Sequence, residues 1–223
     1  VRTRPAPAHA SPETREKKTA SLSQDFDELF EKTSAAFRDR RVQRRAHVLA
    51  RANSVCLGRR TVSGLLTACG RQFEDWSASY RLFERQRFRP DRLFAVPLQA
   101  VTEHLAPEAP LVAVMDDTLF PRKGRRMSGA AWHHDPQGPF FAHQITWSQR
   151  AVELCAMLPA TTGGACSARA VPVDLALQPS RPKPSARATE QQKQLYARFR
   201  RETAIPNLAV KRVHALRDSL ARS

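Results

Sequence analysis

The sequence predicts a mixed fold, an all-α front half followed by the opening strands of a sheet. Three observations carry this. Apolar side chains recur at three- and four-residue steps between Phe26 and Leu105, which is the helical period. The run LVAVM at 111–115, bounded by Pro110 and two aspartates, is too short for a helix and reads as a buried strand. Further on, glycines at 124, 129, 138, 163 and 164 divide the remaining apolar stretches in the way that turns divide strands.

The chain has 223 residues, enough to bury a core without covalent staples. Its 37 Lys and Arg against 21 Asp and Glu give a net charge of +16 and a pI near 11.0. That balance favours a polyanionic partner, most simply nucleic acid, over a lipid surface. No run of apolar residues is long enough to span a bilayer, and the first twenty residues lack the apolar stretch of a secretory signal, so membrane insertion and secretion are disfavoured. Cys56, Cys69, Cys155 and Cys166 form no CxxC pair, which predicts reduced thiols rather than a zinc site or a disulfide framework.

Taken in order, residues 1–22 carry Pro, Ala, Ser and charge with nothing to bury, and are expected to be a disordered basic arm. Residues 23–108 are expected to be a helical, DNA-binding region. Phe26, Leu29, Phe30 and Phe37 begin its pattern, and Val42, Val48, Leu49, Ala52 and Val55 continue it up to Gly58. Thr61 is placed to cap a short helix that Gly70 ends, leaving a turn of helix-turn-helix size near 57–60. Trp76, Tyr80 and Phe83 share a helical spacing and are read as core in preference to a base-stacking surface. A further helical pattern follows from Leu93 to Leu105, in which Pro97 fits near a helix start or at a kink. Residues 109–178 are expected to hold strands at LVAVM, FFAHQITWSQ with AVELCAML, and AVPVDLALQP. Residues 179–223, with eleven Lys or Arg against three acids, are expected to be a basic linker and helical segment.

Charge is distributed unevenly. Residues 93–120 contain Glu103, Glu108, Asp116 and Asp117 and no Lys or Arg. Asp116 and Asp117 stand where the first strand is expected to end, a common position for a ligand or metal, and PRKGRR follows with Arg122, Lys123, Arg125 and Arg126. Carboxylates there suit Mg²⁺ or Mn²⁺ and the cations suit phosphates. If the strand runs through both aspartates, their side chains point to opposite faces and one of them serves. On spacing alone the bland reading, a turn cap with backbone hydrogen bonds, is favoured. His133 and His134 are read as an exposed loop pair rather than as ligands. Arginines at 40, 41, 44 and 45, and at 59 and 60, are candidates for DNA-backbone contact around the helix-turn-helix-sized turn.

Several elements recur together in one order: GRRTV at 58–62, DWSASYRLF at 75–83, a strand with DDT at 116–118, the basic glycine-containing turn, an HxDP-like element at 133–136, a Trp-containing strand and PVDLAL at 172–177. In this order, over roughly residues 35–180, the chain resembles the DDE-type transposases of bacterial insertion sequences, a group of DDE superfamily endonucleases. The resemblance implies an RNase H-like α/β catalytic domain in which two Asp and one Glu bind two divalent metals, Mg²⁺ or Mn²⁺, for in-line phosphoryl transfer. The first Asp maps to Asp117 if the D-T pair is aligned and to Asp116 if the apolar-D-x-T pattern is aligned, with Asp117 preferred. No later apolar strand ends in Asp, and Glu190, Glu202 and Asp218 lie in polar, helix-like surroundings, so the chain is expected to be a truncated transposase, inactive alone. The implied partner is double-stranded DNA at transposon ends, bound by a homodimer in a transpososome, and the implied location is the bacterial cytoplasm, at the nucleoid. A transposition repressor that binds DNA without chemistry is the competing reading.

Overall fold

The computed structural model describes residues 21–106, 108–124, 127–141, 143–159 and 168–221. The basic arm, apart from Ser21 and Leu22, lies outside them, as do Arg125, Arg126 and Cys166. The front half is helical: α1 (Leu22–Glu31), a 3₁₀ turn (Lys32–Ala36), α2 (Arg40–Val55), α3 (Val62–Ala68), α4 (Ser77–Glu84) and α5 (Pro90–His104). Local chemistry sets these boundaries. Ser21 and Gln24 form a capping box at α1, Asp39 accepts from the Val42 amide at the start of α2, and Thr61 accepts from the Gly64 amide at the start of α3. Pro90 is the first residue of α5, a helical position where its missing N–H costs little. Pro97 lies inside that helix.

Val42, Leu49 and Ala52 of α2, Leu65 and Leu66 of α3, Leu82 of α4 and Cys56 make the first core, with Trp76 packed against it. The aromatic stripe of α4 is only partly buried: Tyr80 and Phe83 are exposed and Leu82 takes the core position. α1 buries no residue and is tied to α2 by its polar and aromatic side chains. His47 stacks on Phe30 with ring centroids 4.6 Å apart, and its Nε2 lies 2.8 Å from Asp27, which also accepts from Arg51.

The second half is a four-stranded antiparallel sheet, β1 (Ala113–Pro121), β2 (Ala130–His134), β3 (Ile145–Pro159) and β4 (Ala168–Leu177), followed by α6 (Glu190–Glu202) and α7 (Ile205–Leu220). β3 is central. β1 pairs along one edge of it, while β2 and β4 share the other edge in tandem, β2 against its first five residues and β4 from Ala151 onward. Directly opposed residues share a face, so Ala113, Met115, Asp117 and Leu119 lie with Ala156, Leu154, Val152 and Arg150. On this face Leu154, Ala156 and Val173 pack against Leu98 and Val101 of α5 and Leu216 of α7, which makes the second core.

Three expectations change. The strand expected to end before the aspartates runs on through both of them to Pro121, and it is an edge strand with Val112, Val114 and Met115 exposed rather than a buried one. An apolar run signals a sheet, but it does not say whether both faces are covered. His133 and His134 lie in β2, not in a loop, because they complete an antiparallel ladder with Thr146 and Ile145. The basic linker and helical segment expected over 179–223 does end in helices, but its last helix is part of the core and not an appendage: Arg212 of α7 donates to the buried carboxylate of Asp174 on β4. Among the described residues no helix is long and apolar enough to cross a membrane.

Two outcomes follow from this packing. A Cβ on Gly64 would lie 2.1 Å from the Arg59 carbonyl oxygen, so Gly64→Ala forces the 57–61 turn to move. It is expected to cost on the order of 1–3 kcal/mol in chemical denaturation. Arg212→Met leaves Asp174 buried without its cation and is expected to cost about 3 kcal/mol, whereas the double change Arg212→Met, Asp174→Leu recovers most of the loss.

Candidate active site

The alternation of β1 separates the two aspartates. Asp116 stands opposite Glu153 on the face away from the helices, and its Oδ1 accepts from the Asp117 amide at 2.8 Å. Two like charges directly opposed repel each other. Cys155 shares this face, and burial, then Glu153 and Asp116, push its thiol up. Arg122 also belongs here: its Nε donates to Gln149 Oε1 at 2.9 Å and its guanidinium lies 5.7 Å from the Phe120 ring centroid.

Asp117 points the other way, into a groove of about 800 Å³ between the sheet and the α6–α7 corner. Arg150 of β3 donates to Asp117 Oδ2 through Nε at 2.7 Å and through Nη2. Arg181, Arg200, Tyr196, Phe199 and His133 also line the groove, and the Arg181 guanidinium lies over the Phe199 ring at 4.5 Å. Two buried polar atoms of this face, His133 Nε2 and Ser148 Oγ, have no hydrogen-bond partner among the described residues. Burial, then the Arg150 charge, holds His133 below the ordinary histidine range. It is therefore neutral near pH 7, able to donate or accept but not to add charge. The groove thus combines both aspartates of β1, three guanidinium groups and aromatic faces, a lining that can take a phosphate-bearing ligand.

The sequence candidates are only partly gathered. Asp116 and Asp117 both line the groove, Asp116 with its Oδ1 on the Asp117 amide, Arg122 is bonded to Gln149, and Lys123 is exposed in the loop after β1. Arg40, Arg41, Arg44 and Arg45 lie on the first turns of α2, and Arg59 and Arg60 in the turn before α3. Arg150, Arg181 and Arg200 were not singled out from the sequence. Arg150 had a usable signal, a lone cation at the head of the apolar strand segment AVELCAML. Arg181 and Arg200 had none, since they are two of many cations in a basic tail.

By NMR, the His133 imidazole is expected to titrate below 6.5 and to move up, toward the ordinary range, in Arg150→Gln, because removing a nearby positive charge favours the imidazolium. An unmoved midpoint removes Arg150 as a contributor.

Comparison with known proteins bears on this geometry. No curated protein and no solved structure matches the chain. The family model described as DDE superfamily endonuclease matches residues 28–205, a span that takes in α2 to α5, the whole sheet, the Asp117 groove and α6. By that match, the chain belongs to the DDE superfamily endonucleases.

Proposed function

We propose that the chain serves DNA transposition, binding double-stranded DNA at transposon ends and presenting Asp117 from β1 to the DNA backbone. The observation that carries the reading is the Asp117 groove, where a carboxylate on a sheet strand is ringed by Arg150, Arg181 and Arg200. Guanidinium groups in such a groove hold a phosphodiester and stabilise charge that develops on it. The basic helical front, with Arg40, Arg41, Arg44, Arg45, Arg59 and Arg60, adds sequence-independent backbone contacts, as Lys123 and Arg122 do beside the sheet. Arg125 and Arg126 join them as candidates from the sequence alone.

Endonucleases of this family use divalent metal, Mg²⁺ or Mn²⁺. The described residues do not form such a centre by themselves. Asp117 is paired with Arg150, Asp116 Oδ1 accepts from the Asp117 amide, and no group of three or more His, Cys, Asp or Glu converges among the described residues. On this reading, catalytic competence depends on further carboxylates joining β1. The same observation favours the second reading, a non-catalytic DNA-binding protein or transposition repressor. An RNase H-like arrangement and a homodimer in a transpososome at the nucleoid go with the first reading.

Two measurements test this. Affinity for a duplex is expected to fall linearly on a log–log plot as salt rises, with about 0.9 in slope for each phosphate neutralised, and a flat profile contradicts an electrostatic contact. Cleavage in Mg²⁺ or Mn²⁺ is expected once a segment supplying the further carboxylates is added, and to drop about 100-fold or more in Asp117→Asn. Loss in Asp116→Asn instead assigns the role to the neighbour. Binding without cleavage under every complement supports the repressor reading.

A further inference from the structure

The arginines of α2 are not a uniformly solvated face. α2 turns Val42, Leu49 and Ala52 into the first core, and this packing fixes the direction of its remaining sides. Arg41, Arg44 and Arg45 then fall on one wall of a cleft of about 500 Å³. Arg71, from the connection after α3, and the first turn of α4 form the other wall, where Ala78 and Ser79 are small enough to admit a ligand closely.

The acids in this cleft are already engaged. Glu74 pairs with Arg71 at 3.4 Å, and Asp75 Oδ1 accepts from the Ser77 amide at 2.9 Å at the start of α4. The hydrogen bonds from Ser77 hold the Asp75 carboxyl below the usual carboxylate range. By contrast, none of Arg41, Arg44 and Arg45 lies within salt-bridge distance of a carboxylate among the described residues. Arg45 feels the Asp75 charge and Arg41 that of Asp39, but neither of them nor Arg44 has a salt bridge among the described residues, so three guanidinium groups on one helix lining one concavity can take an anion.

We infer that this α2–α4 cleft is a clamp for a backbone phosphate of duplex DNA, held by Arg41, Arg44 and Arg45 and closed by the start of α4. The inference rests on the DNA-binding reading above and narrows it. The turn at 57–61, where a helix-turn-helix would place its contacts, is separate from the clamp, because α2 rises about 15 Å between Arg45 and Val55. A helix fixed by its core side also presents the three arginines in a constant geometry, so they lose little freedom on binding.

The test is fluorescence anisotropy of a labelled 20-bp duplex titrated with the full chain across a salt series. Arg41→Gln with Arg44→Gln is expected to lower the log–log salt slope by about 1 or more, since each lost phosphate contact removes about 0.9. Lys32→Gln, an exposed cation outside the cleft, is expected to leave the slope at its wild-type value. Circular dichroism and the melting temperature of each variant report folding, and Arg44→Gln alone, on the exposed side of α2, serves if the double variant is destabilised. An unchanged slope in a folded Arg41/Arg44 variant overturns the clamp and leaves the DNA-binding reading standing. A wild-type chain that ignores duplex DNA at low salt overturns that reading itself. An A-form RNA duplex bound more tightly than DNA, with the same loss in the variant, overturns DNA as the occupant.

Discussion

The structure of the second half depends on β3 being paired along both edges. Fifteen residues of one strand receive β1 on one side and β2 and β4 on the other, so the ladder hydrogen bonds of all four strands converge on it. Its buried side chains, Ala151, Val152, Leu154 and Ala156, are small or branched and pack tightly on the sheet surface. Leu154 and Ala156 then give α5 and α7 the apolar surface against which they pack. Removing that strand would leave no sheet and no groove, because each other strand pairs with β3 and with no other strand.

The same strand decides the electrostatics of the site. By holding β1 in a register where Leu119 faces Arg150, β3 sets its guanidinium one diagonal step from Asp117 on the same face. A one-residue slip would exchange the faces of the two aspartates. The Asp117–Arg150 pair is partly exposed, with side chains 39% and 37% accessible, so its contribution to stability is small. Its importance is positional: it holds a carboxylate and a guanidinium together in the groove, and on the proposed reading a phosphate would compete with Asp117 for that guanidinium.

The cations divide into two kinds of surface. In the groove they stand among aromatic rings beside a carboxylate, and Arg181 is steadied by the Phe199 ring. On α2 they line a cleft whose acids are already bonded to neighbours. Part of the net charge of +16 is thus placed where packed elements give it direction. This matters for recognition, because fixed cations lose less freedom on meeting a phosphate than mobile ones do.

Much of the helical half was legible in the sequence, since its signals are local. Thr61 was readable as a cap reaching an amide three residues away, whereas Ser21, read as part of the arm, and Asp39 cap helices in the same way, and the spacing of Val42, Leu49 and Ala52 marks a buried face whatever lies opposite. The order of motifs from GRRTV to PVDLAL was likewise readable, and it agrees with the family match. The pairing of β1 with β3 could not be read, because register is set by which faces are covered, and that depends on α5 and α7, helices on either side of the sheet in the chain. For the same reason the sequence established that the two aspartates face opposite ways if they share a strand, while tertiary structure alone decided that Asp117 pairs with Arg150 and shares a groove with His133, Arg181 and Arg200. Those residues come from β1, β2, β3, α6 and the connection before α6, and no local spacing rule links side chains so far apart in the chain.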